Sequence, residues 1–124
     1  MSQVRADRVY DAPQSAEGKR VLVDRLWPRG LAKAAAHVDE WLKAIAPSDE
    51  LRRWYGHDPA RFDEFRRRYD DELRDPERAQ ALQRLRDLAA AGPVILLTAT
   101  RDLEHSHAMD LARRLRPSEP GTGT

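Results

Sequence analysis

Cysteine is absent from the 124 residues, and that one absence excludes disulfides, thiolate nucleophiles and Cys-ligated zinc or iron–sulfur sites together. An excess of charge is missing too. Lys plus Arg (22) almost cancels Asp plus Glu (21), leaving a formal net charge of +1, so no overall field attracts nucleic acid or an anionic membrane. No apolar run approaches the roughly 18 residues a membrane helix needs. The opening MSQVRADRVY has no apolar leader core. Neither GxGxxG nor a P-loop occurs, so a nucleotide fold has no motif behind it, and no repeat period appears. The expectation is a cytoplasmic protein with no membrane partner and no nucleic acid partner. The sequence names no cofactor and fixes no oligomeric state.

What is present suits one globular domain. Hydrophobic residues make up 40% of the chain, with three Trp, three Tyr and two Phe, enough for a core at this length. A single α/β domain is expected over residues 1–116. The tail PSEPGTGT, residues 117–124, has nothing to bury and is expected to be disordered.

Residues 4–10 are β-like though interrupted by charge. Residues 20–26 form an apolar strand whose pattern implies burial on both faces, as in a parallel sheet. Pro28 and Gly30 end it. Val38, Trp41, Leu42 and Ile45 then recur at helical spacing and predict a helix. Ser48 caps a short helix carrying Leu51, Trp54 and Tyr55, which Gly56 ends. Asp58-Pro59 and Asp75-Pro76 each read as N-cap followed by Pro at the first helical position. The first opens a stripe of Phe62, Phe65, Tyr69 and Leu73; the second opens one of Ala79, Leu82, Leu85, Leu88 and Ala89. Gly92-Pro93 stops the second helix. VILLT, residues 94–98, is the clearest strand, and residues 102–115 read as a final helix. The fold class is therefore α/β: a small, mostly parallel sheet of about three strands flanked by helices, with a helical region between the second and third strands. The direction of the first strand stays open, because its connection is short for a helical crossover.

In an open α/β sheet, ligands bind beyond the carboxyl ends of the strands. Two segments leave those ends: DRLWPRG, residues 24–30, and TATRDLEH, residues 98–105. If they meet, Arg25, Trp27, Arg29, Thr98, Arg101, Asp102 and His105 share one cleft, with His57 of WYGHDP near it. Arginines and hydroxyls suit a phosphate or carboxylate. Imidazole titrates near neutrality, which makes His105 the candidate for proton transfer. A structural reading stands beside this one. Arg25 pairs with Asp102 or Glu104, Trp27 packs as core, and Asp102 and Glu104 in the first helical turn repel an anion. The run Arg66-Arg67-Arg68 resembles a nucleic-acid patch, but Asp63, Glu64, Asp70, Asp71 and Glu72 face it at i,i+4 and neutralise it.

The blocks RVLVDRLWPRG, then WLKAIAPSDELRRWYGHDPARFDEFRRRY, then RDLEHSHA resemble the bacterial YeaO-like family of small domain-of-unknown-function proteins. The likeness runs from Val4 to about Leu115. The family's last block runs D-x-E-H-N-x-A, matched here by Asp102, Glu104, His105 and Ala108, with Ser106 in place of Asn. The resemblance implies a compact cytoplasmic α/β domain and no assigned substrate, cofactor or reaction. Three functional readings follow. The first is a small-anion ligand-binding or catalytic cleft at the strand ends. The second is a non-catalytic protein- or RNA-interaction module, and the third a His-dependent metal-binding protein using His57 and His105.

Overall fold

The computed structural model describes residues 4–10, 18–32 and 37–116; the tail expected at 117–124 lies outside them. Four strands form one sheet: β1 (Val4–Arg8), β2 (Lys19–Leu22), β3 (Glu40–Trp41) and β4 (Val94–Thr98). Their order is β1-β4-β2-β3, with every pairing parallel. The open question of the first strand is answered, since β1 and β2 both run parallel to β4. Gly18 directly precedes β2 at φ +142, where an added Cβ would lie 3.1 Å from the Pro93 carbonyl oxygen. That oxygen accepts from Lys19 N–H at 2.9 Å, so a side chain at position 18 would be crowded as well as strained by the positive φ.

The sheet is buried on both faces, as its unbroken apolar runs require. Val4, Ala6, Val21, Val23, Val94 and Leu96 point into the larger core. Four helices cover it: α1 (Asp49–Tyr55), α2 (Phe62–Glu72), α3 (Pro76–Ala91) and α4 (His107–Leu115). Val9, Leu22, Ile95 and Leu97 point the other way, and Trp27, Leu31, Val38 and Trp41 pack on them.

The helix expected from Val38 to Ile45 is corrected. Asp39 N–H donates to Arg20 O and Leu42 N–H to Leu22 O, so this segment runs along β2 as an edge strand. A 3-10 turn, Lys43–Ile45, follows. Val38 and Trp41 serve the second core, whereas Leu42, Ala44 and Ile45 serve the first. A chain crossing between two faces of a sheet has produced the spacing of an amphipathic helix.

Cap signals fared better. Ser48 Oγ accepts from Leu51 N–H at 3.1 Å, and Gly56 ends α1 in the left-handed region at φ 54. Asp58 caps a 3-10 turn, Pro59–Arg61, that leads into α2. Phe62, Phe65, Tyr69 and Leu73 are all buried. The final helix is shorter than expected. Leu103–His105 is a separate 3-10 turn, and Ser106 then caps α4 by accepting from Met109 N–H.

The basic run is neutralised, two of its three arginines along their own helix and Arg66 across to another. Arg67 and Arg68 pair with Glu64, and Arg68 also lies 4.0 Å over the Trp54 ring. Arg66 reaches the buried Asp110 of α4, which also takes Arg114 at 2.8 Å. Glu72 is held by Ser48. Of the five expected i,i+4 pairs, Glu64–Arg68 is the one found among the described residues.

Candidate functional site

β2 hands the chain toward β3, whereas β4 hands it to α4, which packs against β1 and β4. The two chains part between adjacent strands, and such a switch point leaves a crevice at the carboxyl ends. A cleft of about 640 Å³ opens there. Arg25, Trp27 and Arg29 line it from the segment after β2; His105 lines it from the segment after β4; His57 lines it from the α1–α2 connection. These five expected residues therefore meet at one rim.

The other three stand apart from the lining. Thr98 is fully buried in β4 and donates its hydroxyl to Asp24 Oδ1 at 2.7 Å. Asp102 sits behind His105, holding Nδ1 at 2.8 Å, which leaves Nε2 of that ring as its second nitrogen. Arg101 is exposed and does not line the cleft.

Each remaining side chain has a local cause. Trp27 donates from Nε1 to Leu31 O at 2.7 Å and meets Trp41 edge-on at 5.5 Å, so it is wall and core together. Trp41 in turn donates to Asp24 O, fixing the backbone where β2 gives way to the site. The His105 ring stands edge-on to Phe62 at 5.3 Å, and its carbonyl accepts from Tyr55 Oη at 2.7 Å. Burial, with the charges of Asp102 and Asp58, pushes the Tyr55 phenol up to about 12. His57 has φ 57, a left-handed conformation that His tolerates better than most residues. It follows Gly56, and the pair reverses the chain and brings the ring to the rim.

Sequence reading missed the cationic wall supplied by α1. Asp49, Arg52 and Arg53 all line the cleft, and Arg25 pairs with Asp49 instead of Asp102 or Glu104. The Arg25 guanidinium, helped by the charges of Arg52 and Arg53, holds the Asp49 carboxyl below its usual range. Three guanidiniums thus surround one carboxylate. Neither Arg29 nor Arg53 makes a guanidinium hydrogen bond or ion pair among the described residues; Arg53 acts on Asp49 only at longer range.

His107 was missed as well. Its Nε2 lies 3.0 Å from Val23 O and 3.3 Å from Asp24 Oδ1. A carbonyl only accepts, so Nε2 carries a proton. Asp24 also accepts from Ala99 N–H at 2.8 Å. Burial pushes the Asp24 carboxyl up, yet His107, Ala99 and Thr98 together bring it below the ordinary value. The signal was Ser106: an N-cap between the two histidines places them in different elements, and both line the cleft. No group of three or more His, Asp or Glu among the described residues is arranged to hold a metal. No helix there is long and apolar enough to cross a membrane.

A family model described as the inactive DUF488-N3 subclade matches residues 3–119. An uncharacterized protein of Mycobacterium tuberculosis is 48% identical over 114 residues, covering 92% of this chain and 94% of its own. The uncharacterized Escherichia coli protein YeaO is 41% identical over 113 residues, covering 91% and 96%. No solved structure matches the chain.

Proposed function

The chain belongs to the inactive DUF488-N3 subclade, and from that membership and the cleft together we propose that it binds a small anionic molecule without transforming it. The observation that carries this is the surplus of cations: Arg29 and Arg53 line the cleft with no contact ion pair among the described residues, beside Arg25 and Arg52 sharing Asp49. Unpaired guanidiniums in a recess suit carboxylate and phosphate oxygens. The family's description as inactive and the absence of cysteine support binding over reaction, although Asp102 and His105 form an orienting pair of the kind hydrolases use. Within this reading Arg25, Arg29, Arg53 and His57 contact the anion, His105 and His107 border it, and Trp27 walls it in.

Such a protein works in the cytoplasm and without nucleic acid, consistent with its balanced charge. An interaction module displaying Trp27 and Trp54 is less well supported, because both rings are half-buried. Titration calorimetry at low ionic strength with phosphate, sulfate and acetate tests the proposal. Saturable binding is expected, weakened at least about tenfold by Arg29→Ala with Arg53→Ala, since one charge-assisted hydrogen bond is worth roughly 1.5–3 kcal/mol. Arg67→Ala, on the far helix, should change nothing. Binding that is absent, or indifferent to the double substitution, overturns it.

A further inference from the structure

Resting on the anion reading, we propose that the natural ligand is an organic dianion with an apolar body, not an inorganic ion or a monoanion. The charge count comes first. Arg25, Arg29, Arg52 and Arg53 line the cleft against Asp24 and Asp49. Asp24 is already committed to Thr98, Ala99 and His107, and Asp49 to Arg25 and Arg52. Two guanidiniums remain without a contact counter-charge among the described residues, and a ligand bearing two negative charges balances them. One negative charge would engage only one of these two exposed guanidiniums at the rim.

Size argues for the body. The cleft encloses about 640 Å³, within the range of pockets that hold organic ligands. An inorganic phosphate is only a few times the roughly 30 Å³ of a liquid water molecule and would leave most of that space to solvent. The walls supply apolar contact as well as charge, through the half-buried Trp27 and Ala99. Leu26 completes the case. It is 67% exposed, one of two exposed large hydrophobic residues among those described, and it lies on the cleft lining. An apolar ligand body that covers this side chain gains from removing it from water, and an inorganic ion does not.

The test uses four probes at pH 8 on the full chain: phenyl phosphate, phenyl sulfate, inorganic phosphate and phenol. A phosphomonoester has its second pKa near 6, so phenyl phosphate is a dianion there, whereas phenyl sulfate has nearly the same shape with one charge. Phenyl phosphate should bind at least about tenfold more tightly than each of the others. Arg29→Ala and Arg53→Ala should each erase the preference for phosphate over sulfate. Leu26→Ala should weaken phenyl phosphate several-fold and leave inorganic phosphate unchanged; this exposed position is removable without disturbing the core. Equal binding of phenyl phosphate and phenyl sulfate overturns the dianion. Equal binding of phenyl phosphate and inorganic phosphate overturns the apolar body while leaving the anion reading intact. No binding by any charged probe overturns the anion reading, and this inference with it.

Discussion

Asp24 accepts from the Thr98 hydroxyl, the Ala99 N–H and the His107 ring while its side chain is only 16% exposed. These donors join the ends of β2 and β4 to the first turn of α4, so one carboxylate positions both lips of the cleft. Its pKa in the folded protein lies below the ordinary 3.8. The ionised form therefore stabilises the fold, fully so above about pH 4. That contribution is lost as pH falls through the lowered folded-state value. Asp24→Asn replaces a two-oxygen acceptor with one oxygen and an unwanted donor. It should cost about 2–4 kcal/mol at pH 7 and flatten the loss of stability as pH falls below about 4, both measured by urea denaturation. An unchanged acid limb would show that Asp24 does not anchor the rim. The sequence displayed this residue at a strand end but gave no sign of its three partners, which come from positions 98, 99 and 107.

At the scale of elements, local signals were legible wherever a single element decided its own fate. The buried run VILLT, the Ser48 and Asp58 caps, the Gly56 stop and the aromatic stripe of α2 all depend on neighbours a few residues away. The segment from Val38 to Ile45 was misread because its apolar residues serve two cores on opposite faces of the sheet, and tertiary packing overrode the period. The break at Ser106 was hidden for a related reason. A 3-10 turn and a helix share one run of polar and apolar residues, and only the cap separates them. Ser106 Oγ accepts from Met109 N–H and donates to Leu103 O at 2.7 Å, joining the turn to the helix. Ser is among the preferred N-cap residues, and Ser106 supplies that cap here. Ser106→Ala should cost about 1–2 kcal/mol and weaken phosphate binding, because His105 and His107 flank the cap. A thermal melt with a parallel phosphate titration checks both. Full stability in that variant would show that the hydroxyl is not the joint between turn and helix.

For the whole molecule, topology places the cleft and charge gives it character. A parallel sheet in the order β1-β4-β2-β3 sends its chains apart between β2 and β4, and segments some 75 residues distant in sequence, such as Asp24 and Ala99, meet there. That much followed from reading two strand ends as parallel and adjacent. The contribution of α1 did not, because Arg52 and Arg53 look like ordinary surface residues of a short helix until the fold turns them toward Arg25. The most direct test of a single anion cleft is an amide chemical-shift map of the labelled protein titrated with phenyl phosphate at low salt. The expected result is one saturating set of shifts confined to residues 24–30, 46–57 and 99–107. Shifts centred on Arg66–Arg68, or scattered without saturation, would contradict it.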